Sequence, residues 1–176
     1  MKRSSIILLS VAGILILAIF WGVSKYNGLV TKDEAVSGQW ANVENQYQRR
    51  ADLIPNLVAT VKGYASHESE TLEGVVAARA KATQITVDPN NLTPEKLQQY
   101  QAAQGELSSA LGKLLMITEN YPELKANQNF LELQAQLEGT ENRIATERGK
   151  FNELSKEFNA TVRKFPTNIV ASLAGF

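Results

Sequence analysis

The feature that most constrains this chain is an uncharged run at residues 6–23, IILLSVAGILILAIFWGV, preceded by Lys2 and Arg3. As a helix, eighteen residues reach about 27 Å, close to a hydrocarbon core of roughly 30 Å. The run predicts a transmembrane anchor over residues 6–24, led by a short basic segment at 1–5. A cleaved secretory signal is the rival reading, because it too begins with cations and continues with apolar residues. Signal cores are usually about 7–15 residues long, and this run exceeds that. Phe20 and Trp21 stand at its far end, where an aromatic belt would lie. The small-x-small stretch Gly22-Val23-Ser24 is a weak cleavage match, so the retained anchor is favoured. Lys25 and Lys32 follow the run, so the positive-inside bias tips only slightly toward a cytoplasmic N-terminus, with the remainder outside the cytoplasm. Ala18 and Gly22 form a small-xxx-small pair of the kind that lets two anchors approach.

Beyond the anchor the chain is polar enough for water and long enough for one domain with its own core. Its 18 basic and 18 acidic residues cancel; without Lys2 and Arg3 the balance is 16 against 18, or −2. No basic footprint for nucleic acid is present. The chain contains no cysteine, which removes disulfides, thiolate chemistry and cysteine-ligated metals.

Three apolar seams follow at alternating spacings of three and four, the repeat of long helices packed side by side. The first is Val36, Trp40, Val43, Tyr47, Arg50, Ile54, Leu57, Val61 and Tyr64, after which Leu72, Val75 and Arg79 keep a similar face. Pro55 stands within it and lacks the N–H that would reach the carbonyl of Ala51, so a kink is expected there rather than an end. The turn-forming stretch Val87-Asp88-Pro89-Asn90-Asn91 is the first clear break. Thr93 then reads as an N-cap with Pro94 at the first helical position. A second seam runs Leu97, Tyr100, Gln104, Leu107, Leu111, Leu114, Thr118 and Tyr121; a third runs from Phe130 through Leu137, Thr140, Ile144, Glu147, Phe151 and Phe158 to Phe165. No strand alternation appears. The expected fold is all-α: a transmembrane helix followed by an antiparallel bundle of three to four long helices over 25–166, and a short apolar tail at 167–176. Pro122 is either a turn between two helices or a kink in one long arm. Asn120, Asn127 and Asn129 crowd the region and favour the turn.

Several of these residues form motifs that resemble the LemA family. They are Arg50-x-Asp52-Leu53-Ile54-Pro55-Asn56-Leu57, Tyr64-x-x-His67-Glu68, Glu119-x-Tyr121-Pro122-x-Leu124-x-x-Asn127, Glu141-Asn142-Arg143-Ile144 with Arg148, and Phe165-Pro166. Tyr26-Asn27 after the anchor fits as well. The likeness covers nearly the whole chain, with the motifs in the family's order. One departure is phenylalanine at 151 and 158, where tyrosine is expected at one or both. The resemblance implies a helical bundle on an N-terminal anchor, in bacteria, with no established activity; the expected location is the inner membrane, and no cofactor is expected. It also implies links by analogy: relatives are encoded beside TPM-domain membrane proteins, and one takes part in magnetosome membrane formation.

The motif residues make poor catalysts. His67-Glu68 lacks the second histidine of a zincin helix, since Thr71 stands four residues on. A di-iron bundle needs a Glu-x-x-His motif from each of two helices, and the chain has one histidine. Glu119, Glu141 and Glu147 could pair for acid–base work, but a seam arginine itself requires an acidic partner. Arg50 is therefore expected to pair with Glu141 or Glu147 and fix helix register; the alternative is a side chain that snorkels into water. Phe151, Phe158 and Phe165 are core residues by spacing, or else an exposed surface for a partner. Three function classes remain. The favoured one is a non-enzymatic membrane-anchored structural or adaptor module, with the bilayer, further copies of itself and TPM-domain proteins as partners. The others are a self-assembling membrane-shaping protein and an enzyme or ligand-binding sensor.

Overall fold

The computed structural model describes residues 3–87 and 93–176, with side chains from residue 7 onward. Among the described residues six helices follow in order: α1 (Arg3–Lys62), α2 (Ser69–Gln84), α3 (Pro94–Thr118), α4 (Pro122–Lys125), α5 (Gln128–Arg163) and α6 (Thr167–Ala174). No strand occurs among the described residues. Contacts divide the chain into two units, 1–38 with 150–176, and 39–149, and α1 and α5 contribute to both.

The 39–149 unit is an up-down-up-down bundle, and its long-range hydrogen bonds give the sense of each helix. Arg79 of α2 donates to the carbonyl of Ala51 in α1. Between α2 and α3, Gln104 reaches Ala82, Lys81 reaches Glu106 and Tyr121 reaches Glu68, so rising numbers meet falling ones. The same holds for α1 and α5, where Gln39 meets Glu147, Arg50 meets Glu141 and Tyr64 meets Asn127. The seams read from the sequence are the buried faces: Ile54, Leu57 and Val61 of α1 pack with Leu107 and Leu114 of α3 and with Phe130 and Leu137 of α5, all essentially inaccessible.

Two breaks set this topology. At Pro122 the chain turns: α3 has ended at Thr118, and α4 begins at Pro122, where a missing N–H costs nothing. Asn127 then accepts from the N–H of Phe130, capping α5. The second break corrects the expectation of one face running from Val61 on to Arg79. The first helix stops at Lys62, and residues 63–68 reverse the chain, so Tyr64 leaves the seam and Ala65 is buried in its place. The expected turn at 87–91 lies, apart from Val87, outside the described residues. The cap beyond it is in place, with the N–H of Lys96 donating to Thr93 Oγ1.

In the other unit, the side chains of α1 from Ile7 to Val23 are exposed, and α1 is the one described helix long and apolar enough to cross a membrane. Of the cations before this run, Lys2 lies outside the described residues and Arg3 opens the helix. Further along, Lys32 pairs with Glu157 of α5. Pro166 separates α5 from α6, whose Thr167 and Ala171 are buried. Gly175 adopts φ +81°, the left-handed conformation that closes many helices, and both Gly175 and Phe176 donate to the carbonyl of Ala171. The turn sets the Phe176 ring 6.0 Å from Tyr26 and 6.0 Å from Phe158.

Candidate functional site

Arg50 is the centre of the bundle's polar chemistry. Its spacing on the α1 seam points it inward, and it is 1% exposed. One terminal nitrogen donates to Ser108 Oγ at 2.6 Å and to Glu141 Oε1 at 2.7 Å. The other donates to the side-chain oxygen of Gln104 at 2.6 Å and to its carbonyl at 3.0 Å. The guanidinium carbon lies 5.1 Å from the centre of the Tyr47 ring, a cation–π distance. Tyr100 closes the group, with its ring 5.5 Å from Tyr47 and 5.4 Å from Trp40. A fixed cation without partners would be prohibitive here; the planar fork is matched by acceptors on two other helices.

Of the two acids expected to take Arg50, Glu141 does so, and Glu147 instead accepts from Gln39 at 2.6 Å. Glu141 keeps 40% of its side chain in solvent, so the pair joins a buried cation to a partly hydrated anion. Asp52 points away, exposed, and accepts from Gln48. Asn142 and Arg143 are exposed on α5.

Pro55 sits exposed within the continuous helix α1. The carbonyl it deprives, that of Ala51, accepts from Arg79 Nε at 2.7 Å. The bond lost to proline along the helix is thus replaced across the bundle. Asn56, next in the motif, is exposed, and its carbonyl accepts from Thr60.

The Tyr64–Glu68 motif and the Glu119–Asn127 motif meet at one end of the bundle. The Tyr121 hydroxyl donates to Glu68 at 2.9 Å, and Asn127 donates to the Tyr64 hydroxyl at 2.9 Å. Glu119 pairs with Lys125 across the same turn. His67 is exposed on the loop. The three named phenylalanines separate: Phe151 is buried at 7% exposure, Phe158 is half-buried, and Phe165, beside the half-buried Pro166, is 80% exposed. Gln104, Ser108 and Arg79 are the members of these networks that carried no role in the sequence reading. For Gln104 the signal was there, a polar residue on an apolar seam.

Burial raises the Tyr100 and Tyr47 hydroxyls above their ordinary value, while Arg148 and Arg50 pull Tyr47 back down. Burial likewise raises Glu44. The recess between Glu44, Tyr47, Tyr100 and Gln104 holds about 70 Å³, well below the roughly 300 Å³ at which small-molecule sites begin. Among the described residues no three His, Asp or Glu side chains gather as metal ligands.

Comparison with known proteins gives the family. The chain is 28% identical over 176 aligned positions to magnetosome protein MamQ 2 of Paramagnetospirillum magneticum, covering 86% of this chain and 62% of that protein. Magnetosome protein MamQ of Magnetospirillum gryphiswaldense is 26% identical, with the same coverage. Protein LemA of Metamycoplasma hominis is 26% identical, covering 90% of this chain and 69% of that one. The chain therefore spans somewhat under two thirds of the magnetosome relatives. The sequence profile described as LemA family matches residues 39–176, which include both breaks and the whole Arg50 network. This chain belongs to the LemA family.

Proposed function

We propose that the chain is a membrane-anchored, non-enzymatic helical bundle that acts as a structural or adaptor module in the bacterial envelope. Residues 6–24 span the inner membrane, 25–166 form the bundle outside the cytoplasm, and 167–176 form the tail. One observation carries the reading: α1 is a single helix whose N-terminal part is an exposed apolar run and whose later part carries the buried Arg50, with both terminal nitrogens held by neighbouring helices. That arrangement suits a register device and gives a substrate nothing to displace. Further copies of the chain and TPM-domain membrane proteins are the proposed partners.

A membrane-shaping assembly is the second reading, supported by the magnetosome proteins among the relatives. One experiment tests both. The protein should stay in the membrane pellet after alkaline carbonate and, in mild detergent, run as a small defined assembly. A large closed particle would replace the adaptor with the shaping role. Release by carbonate without detergent would remove both.

A further inference from the structure

Helix α6 leaves a coherent apolar face uncovered. Ile169 and Leu173, one turn apart on α6, are 51% and 86% exposed, and Phe165 in the turn before it is 80% exposed, while Thr167 and Ala171 on the opposite side of the helix are buried. From Pro166 to Phe176 no side chain is charged, and Arg163 and Lys164 stand exposed immediately before. The position of α6 along α1 says what covers that face. Phe176, which closes α6, lies against Tyr26, three residues beyond the last residue of the apolar run. Three residues of helix rise about 4–5 Å, which falls inside the headgroup layer that flanks a hydrocarbon core.

We propose that α6 with Phe165 is a second membrane contact, lying in the interface of the bilayer that residues 6–24 cross. Phe165, Ile169 and Leu173 enter the boundary between headgroups and acyl chains, as amphipathic helices do at depths of about 5–10 Å. Arg163 and Lys164 sit at the level of the lipid phosphates, where anionic headgroups complement them. The contact gives the anchor a second point of attachment and so restricts rotation of this unit about the axis of α1. The proposal rests on the anchor reading and is tested so that the two fail separately.

The chain has no cysteine, so single cysteines can be labelled with an environment-sensitive fluorophore in the full chain. Leu173→Cys, Ile14→Cys within the apolar run and Glu153→Cys on the exposed side of α5 are reconstituted in phosphatidylethanolamine–phosphatidylglycerol vesicles. Brominated lipids then quench from the membrane and iodide from water. The probe at 173 should be blue-shifted and quenched by shallow bromines about threefold more strongly than the probe at 153, as interfacial insertion requires. If the probe at 14 is quenched by lipid while that at 173 responds only to iodide, α6 lies in water and the proposal falls with the anchor intact. A probe at 173 that is shielded from both quenchers is covered by protein, which also overturns it. A probe at 14 that lipid does not quench removes the anchor, and α6 with it.

Discussion

Arg50 occupies a position where leucine would satisfy the seam, so its replacement separates stability from specificity. Arg50→Ala strands Gln104 and Ser108 and opens a cavity, and should cost about 3–5 kcal/mol in detergent-solubilised protein followed by circular dichroism. Arg50→Leu fills the space, and buried ion pairs often give way to apolar residues without loss. A leucine variant that melts higher and keeps the parent's oligomeric size would remove the register role. Asp52→Asn, on the exposed side of the same helix, should stay within about 0.5 kcal/mol. Pro55 and Arg79 make a sharper test, because one causes the defect that the other repairs. Arg79→Met leaves the Ala51 carbonyl without its cross-helix donor, at a cost of about 1–3 kcal/mol. Pro55→Ala restores a backbone N–H for that carbonyl, so the same Arg79 substitution should cost less in the Pro55→Ala background. A double-mutant cycle reads the coupling. Additive effects would mean that the Arg79 bond contributes nothing to offsetting the proline.

At the scale of elements, the aromatic contacts of α1, α3 and the turn before α4 share one pH response. Tyr100 and Tyr47 are raised above their ordinary value of 10.0 mainly by burial, and Tyr121 by its hydrogen bond to Glu68. A group whose folded value is raised contributes stability that is complete below its unfolded value and lost as pH rises toward the folded one. Thermal stability should therefore hold from about pH 7 to 9 and fall beyond about pH 10. Tyr100→Phe should reduce the alkaline slope, whereas an unchanged slope would assign the loss to other groups. These helices were legible because each carries a seam that keeps its period for several turns, and polar intruders such as Gln104, Thr118 and Thr140 obeyed it too. The reversal at 63–68 was not legible, for a physical reason. Ala65 is buried inside the turn, and Leu72 and Val75 return to the same core, so apolar periodicity survives a change of direction. Gly63 alone is a weak stop. The acidic partner of Arg50 could be narrowed to two residues, but Ser108 lies off the apolar period, and only the packed bundle brings it in. Arg79 kept the face of Leu72 and Val75, yet nothing in that spacing names the Ala51 carbonyl as its acceptor.

For the molecule as a whole, the open question that chemistry can answer is which side of the membrane holds the bundle. Two cations, Lys2 and Arg3, precede the apolar run, and two, Lys25 and Lys32, follow it. The second pair differs from the first in its surroundings. Lys32 is engaged with Glu157, whose carboxyl it holds below the ordinary range, and it lies nine residues past the run. Both Lys25 and Lys32 lie within the roughly 15–20 residues over which flanking cations count, so against Lys2, Arg3 and any free terminal amine the positive-inside preference tips only slightly toward an N-terminus in the cytoplasm. In spheroplasts, Glu123→Cys, exposed in the first turn of α4, should react with a membrane-impermeant maleimide before lysis, and Ser4→Cys only after it. Removing Lys2 and Arg3 together should erode that asymmetry, since the remaining bias would rest on Lys25 and Lys32. Labelling of Ser4→Cys in intact spheroplasts, with Glu123→Cys protected, would place the bundle in the cytoplasm and move its partners to that side.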